Sequence, residues 1–238
     1  MQRLLEGAQR LLGLTLTPEQ HRAFQLYHQE LVAWNERFNL TAITDPEGVQ
    51  VRHFLDSLSC LLAMRQAQKG QSLIDVGTGA GFPGLPIKIV RPGLRVTLVE
   101  ATGKKADFLR HMVRLLELRD VTVVHARAEE LGRDPSHREA YEWVVARAVA
   151  AMPALVEYLL PFCHLGGQCI AQKGEDAAAE TSGAEPAIQL LGGNLNRLVP
   201  VELPGLAETR YLVLIDKVAR TPDAYPRRPG RPTKRPLS

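Results

Sequence analysis

Aromatic residues, cysteines and long apolar runs are all scarce in this chain of 238 residues, and each shortage removes a class of function. Phe, Trp and Tyr together make up only 5% of it, too few for a broad platform on which nucleic-acid bases could stack. The three cysteines, Cys60, Cys163 and Cys169, are odd in number and form no C-x-x-C pair. Neither a disulfide framework nor a zinc site is indicated, and buried free thiols are expected. No apolar run approaches the roughly 18 residues that a membrane span needs. Met1-Gln2-Arg3-Leu4-Leu5-Glu6 opens amphipathically, without a signal-peptide core, so a cytoplasmic protein without a membrane partner is expected. H-E-x-x-H and G-x-S-x-G are missing as well, and with them the usual metalloprotease and serine-hydrolase signatures. No resident metal is expected.

What is present is an ordinary globular composition, 45% hydrophobic and 23% charged, with a formal charge of +3. That charge is unevenly spread. From Arg220 onward six basic residues face the single acid Asp223, so the preceding chain carries a small negative balance. A basic segment of this kind reads as an arm for nucleic acid. Its Pro222, Pro226, Pro229, Pro232 and Pro236 are expected to keep it extended, out of helix and sheet. Arg227, Arg228, Arg231, Lys234 and Arg235 would then grip phosphates. Tyr225 and Leu237 allow the alternative of a strap packed against the body.

The most informative stretch is Leu73-Ile74-Asp75-Val76-Gly77-Thr78-Gly79-Ala80-Gly81-Phe82-Pro83-Gly84, a buried strand running into a glycine-rich turn that opens a helix. Such a turn lets backbone approach a ligand closely and aims unpaired N–H groups at it. Dinucleotide sites space their glycines as G-x-G-x-x-G, whereas Gly77, Gly79 and Gly81 alternate strictly, with Asp75 just before them. S-adenosylmethionine has no pyrophosphate, and its ammonium and sulfonium favour a nearby carboxylate. A methyltransferase is therefore ranked above a nicotinamide dehydrogenase.

Around this loop, short β-branched strands alternate with helical segments, the pattern of a doubly wound parallel α/β sheet. Strands are expected at 72–76, 95–99, 121–125, 143–147, 168–172, 197–201 and 211–217, and helices at 83–90, 104–117, 153–162 and 176–191. The closing hairpin suits the methyltransferase variant of the fold, which ends on an antiparallel strand. Residues 1–70 read as a helical cap, 71–219 as the catalytic domain and 220–238 as the tail. In the cap, Thr17-Pro18-Glu19-Gln20 starts a helix carrying Phe24, Tyr27, Leu31, Trp34 and Phe38 on one stripe, and Asp45-Pro46-Glu47 starts another that runs to Lys69-Gly70.

Chemistry is expected at the carboxyl ends of the strands, where open α/β sheets bind ligands. Glu100 ends the second strand, where a carboxylate can accept both ribose hydroxyls. Ala128 and Glu129 follow the third, beside the adenine edge, although acids at a helix start also simply complement its dipole. Arg147 ends the fourth strand and suits a phosphate or a guanine edge, or else an ion pair with a nearby acid. Lys173 ends the fifth. His53 and Asp56 could reach the mouth of the site from their helix. Methyl transfer to a ring nitrogen with a free lone pair needs no general base, and positioning alone can supply about 7–11 kcal/mol.

Trp34-Asn35-Glu36-Arg37-Phe38-Asn39-Leu40-Thr41-Ala42-Ile43, Arg52-His53-Phe54-Leu55-Asp56-Ser57-Leu58, the glycine loop, Ala146-Arg147-Ala148, Lys173-Gly174 and Tyr225-Pro226-Arg227-Arg228-Pro229-Gly230 occur together in one known family. With these motifs the chain resembles, over nearly its whole length, the bacterial 16S rRNA guanine-N7 methyltransferases of the RsmG (GidB) family. The resemblance implies a Rossmann-like class I S-adenosylmethionine-dependent fold: a seven-stranded, mostly parallel sheet with an antiparallel last strand and an N-terminal helical cap. It implies S-adenosylmethionine as cofactor and N7 of a guanine in the 16S rRNA of the small ribosomal subunit as acceptor. The cofactor site would comprise Asp75, Gly77, Gly79, Gly81, Phe82, Glu100, Ala101, Thr102, Ala128, Glu129 and Arg147. Residues assisting transfer would come from Arg147, Lys173, His53 and Asn39, in a monomeric enzyme. Ala146 departs from the Ser that relatives often carry there. The competing readings are a methyltransferase of another rRNA base or of a ribosomal protein, and a non-catalytic RNA-binding assembly factor.

Overall fold

In the computed structural model, which describes residues 1–64 and 66–237, one seven-stranded sheet organises the chain. The strands are β1 (Ser72–Val76), β2 (Arg95–Glu100), β3 (Val121–His125), β4 (Tyr141–Arg147), β5 (Cys163–Lys173), β6 (Gly193–Val201) and β7 (Arg210–Lys217). Their order across the sheet is β3-β2-β1-β4-β5-β7-β6. β1 pairs in parallel with β2 on one side and β4 on the other, and β7 lies antiparallel between β5 and β6. The strand order reverses between β1 and β4, which puts a crevice at their carboxyl ends. Gly77 and Arg147 stand at those two ends.

Seven strands are found where seven are expected, most of them longer. β5 reaches back to Cys163, and β6 to Gly193. The helix expected over 176–191 is instead two, α9 (Ala177–Ser182) and α10 (Glu185–Leu190). Pro186 lies in the first turn of α10, and lacking an N–H it cannot continue the hydrogen-bond ladder of α9.

Ahead of the sheet come α1 (Gln2–Leu12) and α2 (Pro18–Phe38). Thr17 caps α2 as a capping box: Gln20 N–H donates to Thr17 Oγ1 at 3.2 Å and Thr17 N–H to Gln20 Oε1 at 3.0 Å. The second cap helix begins as expected, with Gly48 N–H donating to Asp45 Oδ1 at 2.6 Å, but it is not regular. One turn, α3 (Pro46–Gly48), opens into a π-helical segment, Val49–Leu55, then α4 (Asp56–Ser59) and a final 3-10 turn, Cys60–Leu62. Only Arg52 of the π segment is exposed. The segment packs against α1, and its Val49, Val51, Phe54 and Leu55 join the apolar core shared with the sheet. Lys69-Gly70 does not end this helix; Gly70 N–H donates to the Gly93 carbonyl at 2.8 Å in the turn leading to β1.

The N-terminal helices share one apolar core with one face of the sheet: Phe24, Tyr27, Leu31 and Phe54 pack with Phe82, Leu85, Phe108, Val145 and Ile170. The opposite face carries α8 (Met152–Leu159) and α10, in a second core that Tyr225 and Leu237 join from the C-terminus. Cys60, Cys163 and Cys169 are buried free thiols.

The C-terminal segment departs from the expected loose, extended arm. It is a strap, fixed at Tyr225 and Pro226 and ending in a short helix, α11 (Arg231–Lys234), whose Pro232 sits in the first turn where no N–H is required. Arg133 Nε donates to the Pro226 carbonyl at 2.7 Å, and Arg138 donates to the carbonyls of Tyr225 and Thr221 at 2.8 and 2.7 Å. Arg227 does not face a solvent-borne partner: its side chain and backbone N–H bind the fully buried Glu157, with Nη2 to Oε2 at 2.6 Å. A buried carboxylate requires such a cation. Arg228, Arg231, Lys234 and Arg235 remain exposed.

Candidate cofactor and substrate cleft

The glycine loop lines the larger cleft from Gly77 to Ala80. Gly77 and Gly79 are accessible, while Thr78, Ala80 and Gly81 are buried. All three glycines have positive φ, from 61° to 103°, which side chains other than glycine's rarely adopt. Space separates their roles. A Cβ on Gly79 would meet nothing within 4 Å, whereas one on Gly81 would strike the Tyr27 hydroxyl and Leu85. Gly79 therefore leaves room for a ligand, and Gly81 lets α2 press against the loop. From there Tyr27 donates its hydroxyl to the Ala80 carbonyl at 2.5 Å and stacks on Phe82 at 5.4 Å.

Two adjoining clefts meet at Gly77. The larger, about 480 Å³, lies between the loop, the π segment and the ends of β4 and β5, and is lined by Thr41, His53, Phe82, Glu100, Arg147 and Lys173 among others. The smaller, about 230 Å³, lies over the ends of β2 and β3, against Ala101, Ala128, Glu129 and Tyr158. A ligand with two dissimilar ends, passing over the loop, fits this arrangement.

Glu100 is preset for it. Its Oε2 accepts from Gly79 N–H at 2.9 Å and its Oε1 from Thr102 N–H at 2.7 Å, which fixes the carboxylate at the edge of the larger cleft with lone pairs left over. Asp75, by contrast, does not face a ligand. It is wholly buried behind the loop, where Oδ2 accepts from Thr78 Oγ1 at 2.5 Å and from Gly84 N–H at 2.7 Å, and burial pushes its pKa up to about 7. The acid expected to attract a sulfonium is thus held well above the ordinary carboxylate range by burial, and it acts as the loop's internal brace.

Arg147 forms the ion pair with a nearby acid that its place allowed, Asp56, while still facing the cleft. It lines the larger cleft, and its guanidinium is fixed on three sides: Nη1 to Asp56 Oδ2 at 2.8 Å, Nη1 to the Arg52 carbonyl at 3.0 Å, and the Phe82 ring at 5.0 Å. His53 stacks on the same Phe82 at 4.5 Å. Its Nδ1 lies 3.3 Å from Arg147 Nη2, so the arginine is the donor there and Nε2–H donates to Thr41 Oγ1 at 2.8 Å. Burial, reinforced by Arg147, lowers its pKa to about 4 and keeps the ring neutral. Its lone pair is engaged by the arginine. Lys173 lines the cleft but is tied to Glu180 Oε2 at 2.7 Å and the Ala150 carbonyl at 2.9 Å.

Asn39, Gly81 and Thr102 line neither cleft. Asn39 is the exposed, left-handed cap of α2, with its N–H donated to the Asn35 carbonyl. Thr102 contributes its backbone N–H to Glu100.

A family model described as "rRNA small subunit methyltransferase G" (GidB) matches residues 20–205. The chain belongs to the GidB family. Among GidB relatives, the Ribosomal RNA small subunit methyltransferase G of Roseiflexus sp. (strain RS-1) is 56% identical across 98% of this chain and 99% of its own length. The protein of the same name from Pelotomaculum thermopropionicum is 50% identical across 98% and 96%. Solved structures share the fold alone. TrmN from Thermus thermophilus gives a TM-score of 0.53 at 18% identity, covering 71% of this chain and 53% of that one. A mutant of the 16S rRNA (adenine(1408)-N(1))-methyltransferase from Catenulisporales acidiphilia gives 0.53 at 14%, covering 68% and 92%.

Several cleft residues of this GidB chain escape a reading of the sequence. Arg210 opens β7 and reaches the larger cleft because β7 pairs with β5, placing Tyr211 opposite Lys173. Arg52 and Lys105 reach it from the π segment and from α6 (Gly103–Leu115). Only the Lys104-Lys105 pair, following Glu100, offers a local cue.

Proposed function

We propose that the chain transfers a methyl group from S-adenosylmethionine to N7 of a guanine in 16S rRNA of the small ribosomal subunit. The observation that carries this reading is the pair of clefts meeting at Gly77, at the strand-order reversal of a GidB-family chain. Near full-length relatives named as small-subunit rRNA methyltransferases support the reaction class and the RNA.

The residues fit the cofactor: Gly79 leaves open space at the loop, and the buried Glu100 carboxylate is aimed by two amides. When bound, S-adenosylmethionine supplies an electrophilic methyl on a sulfonium. Gly77, Ala101 and Ala128 would hold its nucleoside, Glu100 the ribose hydroxyls, and Gly79 and Phe82 the methionine end. Arg147, locked by Asp56 and His53, presents a fixed guanidinium to the incoming base. Guanine N7 is an unprotonated acceptor on the base edge, which agrees with a cleft whose histidine is neutral and engaged and whose lysine is paired. A base must leave its stack to reach the strand ends. Arg52, Lys105 and Arg210 at the cleft mouth, with the exposed Arg228, Arg231, Lys234 and Arg235 of the strap, would take its flanking phosphates. The same reading makes the protein a cytoplasmic monomer, since its substrate is a cytoplasmic particle large enough to position it.

Labelled S-adenosylmethionine incubated with purified small subunits and with naked 16S rRNA tests the proposal. Label at guanine N7 is expected. Label in a ribosomal protein or at another base atom would overturn it, and RNA binding without any cofactor binding would point to an assembly factor.

A further inference from the structure

The smaller cleft has a wall that neither the strand ends nor the glycine loop supplies. Thr233 of α11 lines it opposite Ala128 and Glu129, and the Thr233 and Tyr158 hydroxyls lie 2.7 Å apart. Just before α11, Gly230 N–H donates to Glu129 Oε1 at 2.8 Å. Glu129 is itself buried and lines the same cleft. One carboxylate therefore serves two surfaces, the cleft and the strap that covers it. Upstream of Gly230 the strap is held by contacts that need no ligand, Arg227 on Glu157 and the arginines on its carbonyls.

We propose that the C-terminal strap forms part of the nucleoside site, with Thr233 and Tyr158 as the outer wall against which the adenine end of S-adenosylmethionine packs, and Glu129 joining wall to floor. The inference rests on the cofactor assignment above and adds to it the residues that close the site. It reverses what a basic arm would predict, namely that the tail serves RNA and leaves the cofactor untouched. If Thr233 is part of the wall, whatever the docked strap adds to nucleoside affinity, a bound nucleoside adds equally to docking of the strap. Arg231 and Lys234 of α11 are exposed and do not line the cleft, which leaves them free for RNA while Thr233 serves the cofactor.

The test compares the full chain with one ending at Gly230, which keeps the Arg227–Glu157 and Gly230–Glu129 anchors and removes Thr233. S-adenosylhomocysteine is the probe and calorimetry the readout, with a urea midpoint to confirm folding. The shortened chain is expected to bind at least about tenfold more weakly. In the full chain, where no folding defect can intrude, the ligand is expected to slow amide hydrogen exchange across 227–237. Equal affinity of two folded chains, or exchange unchanged by bound ligand, would overturn the inference while sparing the cofactor assignment. A full chain that binds no S-adenosylhomocysteine would overturn both.

Discussion

The N-terminal helices press on the glycine loop beside the larger cleft, the C-terminal strap lines the smaller one, and the two are attached by different means. The N-terminal layer arrives as rings: Phe54 and Tyr27 pack on Phe82, at 6.1 and 5.4 Å, within a core continuous with the sheet. The strap arrives as backbone. Its carbonyls accept from Arg133 and Arg138, and its main ionic anchor is the buried Glu157. Apolar burial dominates in the first, whereas the second adds to the packing of Tyr225 and Leu237 a set of directed bonds. The half that shapes the larger cleft is thereby rigid, and the half that covers the smaller one can be coupled to a ligand.

The contrast is sharpest in two truncations. Phe54→Ala removes a fully buried ring from the N-terminal layer and is expected to cost about 4 kcal/mol in urea unfolding. Arg227→Ala leaves Glu157 buried without its cation and is expected to cost about 3 kcal/mol. A loss near zero for Arg227→Ala would mean that the strap is not held as described. Smaller, and specific to the loop, is Tyr27→Phe. It strips the Ala80 carbonyl of its donor, for an expected loss of about 1–2 kcal/mol together with weaker S-adenosylhomocysteine binding in calorimetry.

The gentlest probe is pH. His53 is held neutral in the fold down to about 4 against an ordinary 6.5, so between those values the unfolded chain binds a proton that the folded chain refuses. Its contribution to stability is lost as pH falls through that window. Asp75 runs the other way: with a pKa of about 7 against 3.8, it keeps a proton that the unfolded chain releases, and its contribution is lost as pH rises from 4 to 7. The two windows overlap, so their slopes nearly cancel in the wild type; His53→Gln is expected to leave stability falling as pH rises from about 4 to 7, and Asp75→Asn to leave it rising from about 4 to 6.5, both read in urea unfolding. Parallel profiles for wild type and both variants would contradict the burial of these groups.

How far the fold could be read ahead of its coordinates follows the same division. The stripe of α2, its Thr17 cap, the seven strands and the loop are local patterns in which apolar period and turn chemistry agree. The second cap helix is announced by Asp45 and by Val51, Phe54, Leu55 and Leu58, but its π geometry is not, since Gln50 and His53 are buried as well and widen the enclosed face. The strap's docking could not be read either, because a carbonyl that will accept from Arg133 looks like any other carbonyl, and prolines that suit an extended arm also suit the first turn of α11. Within the site, Glu100 and Arg147 were legible from their places at strand ends. Asp75 was not, because an acid at the end of a strand reads alike whether it faces a ligand or, as here, braces a turn from within.

The central claim is that one cofactor spans both clefts, nucleoside under the strap and methionine end beside Arg147. A crystal structure of the full chain with S-adenosylhomocysteine tests it directly. The account predicts the adenine between Ala128 and Thr233, the ribose at Glu100 and the sulfur over the larger cleft facing Phe82. An adenine seated among Thr41, His53 and Lys173, with the space under the strap left empty, would contradict it.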